Sequence, residues 1–131
     1  QDPGDVKYVF DANVIDISSG AKSNLPGDAK IAVSALSLVE IAAPNHVSLS
    51  EAEAFIASLN VSELIPVTNQ VARLAVELRK VQNLHALDAC IGATAYLMNA
   101  TLVTNDQRLR RHPVLSTLPF PVPQQLEGET P

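Results

Sequence analysis

Apolar residues follow two rhythms along this chain. Unbroken short runs at 6–10 (VKYVF), 31–35 (IAVSA), 64–68 (LIPVT) and 101–105 (TLVTN) are rich in β-branched and aromatic residues, and predict strands buried on both faces. A weaker run at 120–124 (FPVPQ) predicts a fifth strand, at a sheet edge, because Pro121 and Pro123 lack a ladder donor. Between the runs the spacing turns helical. A short helix is predicted over 13–20, followed by a Gly-, Ser-, Asn- and Pro-containing loop at 20–27. The pattern LSLVEIAA predicts a second over 36–43, stopped by Pro44, and a third begins after a Ser48 or Ser50 cap. The strongest helical pattern covers 69–82, where Val71, Leu74, Ala75, Leu78 and Val81 recur at three- and four-residue steps. Residues 86–99 form an Ala-rich pattern, apolar nearly all round, and so are expected to be buried. Strands alternating with helices imply an α/β fold with a mostly parallel central sheet of four to five strands. No repeat or internal boundary interrupts it, so a single domain is expected over 1–131, with a core of about 6–124 and short polar tails.

The arrangement places acids where an open parallel sheet binds its ligands, beyond the carboxyl ends of the strands. Asp11 directly follows the first run and Asp106 the fourth. Asp88 falls in the first turn of the apolar helix, and Glu40 lies between Val39 and Ile41 in the short one. Singly, each has an ordinary explanation. Asp11 and Asp106 can cap helices, Asp88 can complement a helix dipole, and Glu40 can face water. Together at one end of a sheet, four carboxylates repel one another and raise each other's pKa unless cations neutralise them. An oxygen-only ligand set of this kind suits Mg²⁺ or Mn²⁺ rather than zinc. Such ions activate water and, when paired about 4 Å apart, stabilise the leaving oxygen of a phosphodiester.

Composition changes this picture little. The formal net charge is −5, but removing residues 1–5 and 127–131 leaves ten acids against nine bases. A polyanionic partner is therefore compatible with the body of the chain. A single cysteine, Cys90, excludes an internal disulfide framework and a multi-cysteine zinc site. No apolar run reaches the ~20 residues that span a bilayer, and the first residues show no basic, hydrophobic leader, so a cytoplasmic location is expected.

The segments VFDANVI, IAVSALSLVEI and LDACIGATAYLMNATLVTND, with the spacing between them, resemble the PIN domain, in its VapC-type toxin ribonuclease branch. The likeness runs from about Val6 to about Gln124 and is strongest over 87–106. It implies a three-layer α/β/α sandwich and a metal-dependent endoribonuclease using Mg²⁺ or Mn²⁺. It also implies an RNA substrate, a small antitoxin partner and a homodimer. Residue by residue, the resemblance carries Asp11, Glu40, Asp88 and Asp106 over as metal-binding and catalytic acids. Asn13, Ser34 and Thr104 match polar positions around the site. No essential acid is missing, but Pro44 cuts the helix after the second strand, where many relatives continue.

Arg108, Arg110, Arg111 and His112 follow Asp106 closely and offer a phosphate-gripping edge, RNA contacts being expected of the three arginines, against the plainer alternative of a solvated turn. His46 and His85 lack a ligand-spaced partner and read as surface or capping residues, Asp16 as surface, and Cys90 and Met98 as core. Two rival readings fail on particular residues. A phosphoacceptor receiver needs an Asp after the third strand and a Lys after the fifth, where this chain has PVTN and no Lys over 120–126. A haloacid-dehalogenase-like phosphatase needs D-x-D at the first strand, where the chain has D-A-N. Closer alternatives are a PIN nuclease outside any toxin pair, or a non-catalytic RNA- or partner-binding PIN module.

Overall fold

Apolar runs that lack a polar face need cover on both sides, and a parallel sheet between helices supplies it. The computed structural model describes residues 7–14, 30–42, 47–57 and 63–123. In chain order the elements are β1 (Lys7–Phe10), β2 (Lys30–Ser34), α1 (Leu36–Ala42), α2 (Leu49–Ala57) and β3 (Glu63–Ile65). They continue with α3 (Asn69–Val81), α4 (Ala86–Leu97), β4 (Thr101–Val103), α5 (Gln107–Arg110) and β5 (Thr117–Leu118). The five strands form one all-parallel sheet in the order β3-β2-β1-β4-β5. Asp16, His46, Pro44, Asn60, both tails and the rest of the helix expected over 13–20 lie outside the described residues. A helical turn is present at 12–14.

Register explains why the sheet has two cores. Val9 aligns with Ala32 and with Leu102, while Phe10 aligns with Val103. Successive side chains point to opposite faces. Val9, Ala32 and Leu102 therefore meet Val71, Ala75 and Leu78 of α3, the buried side of α4, and Leu109. Phe10, Val33 and Val103 meet Ile41 of α1, Ala52 and Ile56 of α2, and Phe120 and Val122. The result is three layers, helices on each face of the sheet. Among the described residues no helix is long and apolar enough to cross a membrane.

Local chemistry sets the boundaries. Ser48, rather than Ser50, caps α2 through a reciprocal box: its hydroxyl accepts from Glu51 N–H and the Glu51 carboxylate accepts from Ser48 N–H. β3 ends before Pro66, short of the expected run, and Thr68 instead caps α3 by accepting from Val71 N–H at 3.2 Å. α4 ends in a Schellman motif: Asn99 has φ 55, Asn99 N–H donates to Tyr96 O and Ala100 N–H to Ala95 O. Asn is among the few non-glycine residues that take this left-handed position readily, and it turns the chain into β4. Gly92 lets α4 pack closely, since a Cβ there would stand 2.9 Å from Leu115 Cδ1.

Three expectations need correction. The fifth strand is Thr117–Leu118, not 120–124. Leu102 N–H bonds Ser116 O and Thr104 N–H bonds Leu118 O, after which the donor-free prolines end the pairing and Phe120 and Val122 turn into the second core. Val81 is 55% exposed, because it closes α3 beyond the last turn packed on the sheet. Nor is α4 buried all round: Ala89 and 91–95 are, but Leu87, Tyr96 and Leu97 face outward.

Candidate active site

The ends of β1 and β4 lie side by side, and one threonine joins their acids. Asp11 N–H extends the ladder to Val103 O at 3.0 Å, fixing Asp11 at the mouth of the sheet, where it is only 3% exposed. Its carboxylate accepts from Ala12 N–H at 2.8 Å and from the Thr104 hydroxyl at 2.7 Å. The same Thr104 oxygen accepts from Asp106 N–H at 3.0 Å. Thr104 is fully buried, so its one O–H and one of its lone pairs set the spacing between strand ends. Asp106 accepts from Arg108 N–H and Leu109 N–H through a single oxygen, Oδ1, and thereby caps α5. A cap formed by one oxygen leaves Oδ2 available for a ligand.

The other two acids arrive on helices. Glu40, on α1, has one carboxylate oxygen buried with no hydrogen-bond partner among the described residues. Loss of water and the neighbouring charges of Asp11 and Asp88 raise its pKa to about 7. Burial also raises Asp11, with Asp106 adding to the shift against the lowering by Thr104 and Ala12. Asp88, in the first turn of α4, is raised by desolvation, then by Asp11 and Asp106, while His85 and Arg108 draw it down. Asp11, Glu40 and Asp88 thus each feel at least one other acid, and the charge of Asp106 acts on two of them. They converge on one end of the sheet, yet among the described residues no group of three His, Cys, Asp or Glu is drawn in tightly enough to hold an ion as it stands. Mutual repulsion opposes tighter closure while the charges remain unneutralised. The donor set nevertheless fits a hard divalent cation: it is all oxygen, and it includes a buried Glu40 oxygen that no described residue satisfies.

A pH dependence follows. In the metal-free protein Glu40, Asp11 and Asp88 bind protons more tightly folded than unfolded. Between the ordinary carboxylate range and about pH 7 the folded state holds protons that the unfolded state has released. Stability is then lost as pH rises through that window. Thermal melts in EDTA are expected to show a higher Tm at pH 6 than at pH 8; a flat or opposite trend would contradict the crowding of these carboxylates.

The remaining candidates separate. Asn13 is exposed on the turn after Asp11. Ser34 is buried at the end of β2, but its hydroxyl accepts from Leu36 N–H and so shapes the entry to α1. Arg108, Arg110 and Arg111 are all exposed. His112, grouped with them as a phosphate contact, is instead buried: its Nε2 meets Leu78 O at 2.9 Å and its Nδ1 accepts from Val114 N–H. The Nε2–H tautomer satisfies both bonds, so the ring anchors α5 to α3. Two polar residues escaped the sequence reading. Asn105 clamps Phe120, donating to its O at 3.1 Å and accepting from its N–H at 2.9 Å. Ser37 has a buried hydroxyl without a partner among the described residues, three residues before Glu40 on the same face of α1. The spacing of Ser34, Ser37 and Glu40 in an otherwise apolar stretch was the signal available for it.

Comparison with known proteins agrees with this architecture. The sequence profile of the PIN domain matches residues 8–115, from β1 through α5 and beyond. The chain belongs to the PIN domain family. No curated protein sequence matches it significantly. Similar solved structures include VapBC2 from Rickettsia felis bound to a DNA fragment from their promoter, at 21% identity and TM-score 0.68, covering 87% of this chain and 98% of that one. A toxin-antitoxin complex from Klebsiella pneumoniae gives 23% identity and TM-score 0.63, covering 85% of this chain and 95% of that one. VapBC-5 from Mycobacterium tuberculosis, of the VapBC family of toxin-antitoxin systems, gives 20% identity and TM-score 0.63, with 87% and 97% covered. At these identities the likeness is one of fold.

Proposed function

We propose that this PIN domain is a divalent-metal-dependent endoribonuclease, the toxin of a toxin–antitoxin pair. The observation that carries the reading is the convergence of Asp11, Glu40, Asp88 and Asp106 at the carboxyl end of the sheet, with a Glu40 oxygen buried and unpartnered. These acids would hold Mg²⁺ or Mn²⁺, which supplies charge to polarise a phosphodiester and to make water nucleophilic near neutral pH. Thr104 orients the Asp11 carboxylate by donating to it, and fixes the Asp106 backbone by accepting from it. Asp11, Glu40 and Asp88 bear raised pKa values, and a neighbouring positive charge would favour their ionised forms.

The toxin assignment draws on the toxin–antitoxin complexes among similar folds. It includes an antitoxin partner, a cytoplasmic site of action and a homodimer. An outward groove of about 530 Å³ between α3 and α4, lined by Val76, Tyr96 and Leu97, supports the last. The test is cleavage of single-stranded RNA. Activity should require Mn²⁺ or Mg²⁺ and vanish in EDTA; RNA bound but uncut with either metal would favour a binding module instead. Light scattering should give twice the chain mass, and a small protein encoded beside the gene should co-purify; failure of the second alone points to a nuclease outside a toxin pair.

A further inference from the structure

Beside the acids lies a cleft of about 330 Å³ whose lining is of the opposite character. His85, Gln107, Arg108 and Arg111 line it together with Asp106. Arg108 and Arg111 stand three residues apart and share a side of the α5 turn, whereas Arg110 is exposed outside this lining. Among the described residues neither lining guanidinium is held in an ion pair. Their backbone, by contrast, is anchored: the Gln82 side chain donates to Arg108 O at 2.7 Å, and the buried His112 ring next to Arg111 is tied to Leu78 O. The guanidiniums therefore project from a backbone fixed to α3. The ring of His85 takes no part in capping α4 and is exposed to the cleft.

The geometry points to a phosphate subsite. Arg108 and Arg111, aided by His85 and Gln107, grip the phosphate of an RNA strand adjacent to the one presented to the four acids. Guanidinium donors match phosphate oxygens in pairs, and a fixed fork gives up little entropy on binding. The cationic wall also offsets the anionic floor, which by itself would repel a polyanion. This subsite rests on the nucleic-acid reading above, while its test can fail separately.

Binding of a short fluorescent single-stranded RNA is followed by anisotropy in EDTA, over a range of salt. The Arg108→Gln/Arg111→Gln double variant is expected to bind about tenfold more weakly, with a salt slope shallower by roughly 0.7 to 1.4, as when one or two phosphates of a single strand are no longer neutralised. A Lys7→Gln/Lys30→Gln double variant removes the same charge from the opposite end of β1 and β2 and should keep the parental slope. Equal slopes in the two double variants would overturn the subsite and leave the acid centre standing, provided the parent still cleaves RNA with Mn²⁺. A parent that neither binds nor cleaves RNA overturns both.

Discussion

Asp88→Asn is expected to lower RNA cleavage by on the order of a thousandfold or more, the several kcal/mol that a correctly held cation contributes to the transition state. The metal-free fold should remain as stable as the parent or become more so. Asp88 is the cleanest of the four acids for this test because it is half-buried and its carboxylate is raised by desolvation and by the charges of Asp11 and Asp106. Replacing it with a neutral, isosteric amide removes both penalties. Against this stands the loss of an acid from the first turn of α4, worth about 0.3–1 kcal/mol when exposed to solvent, and His85 and Arg108 lose an attractive neighbour. Relief of crowding should match or exceed that loss. Melts in EDTA with the variant markedly below the parent would mean that Asp88 serves its helix and not a metal.

Thr104→Val should impair both the fold and the reaction. Valine keeps the shape but removes the donor to Asp11 and the acceptor of Asp106 N–H. The bond to Asp11 is buried and that from Asp106 N–H partly so, and a group orphaned in the buried position costs about 1–3 kcal/mol. Asp11 loses a bond that holds its pKa down, so it should ionise less readily. Positioning partners of this kind typically change metal affinity or activity by about 10–100-fold. Serine retains the hydroxyl, and Thr104→Ser is expected to recover most of the activity. If Thr104→Val cleaves like the parent, the hydroxyl merely fills space.

The acids of this candidate site stood out in the sequence alone, for a physical reason. Parallel strands buried on both faces read as continuous apolar runs, so a carboxylate that ends such a run, as Asp11 and Asp106 do, stands out. Asp88 and Glu40 stood out likewise, as charges set among apolar neighbours. What escaped depended on tertiary contacts. His112 reads as one more cation beside three arginines, and only the proximity of Leu78 O makes it a buried anchor. The two-residue β5 carries too short a pattern to register, whereas the prolines that end it drew attention to the wrong segment. Asn105 looks like turn vocabulary until Phe120 is brought beside it.

The central claim is that Asp11, Glu40, Asp88 and Asp106 make one anionic pocket that needs a divalent cation. A crystal soaked in Mn²⁺ and measured at the manganese absorption edge tests it directly. Anomalous density is predicted among these four carboxylates, with the unpartnered Glu40 oxygen turned toward it. Density elsewhere, or none there at saturating Mn²⁺, would contradict the account.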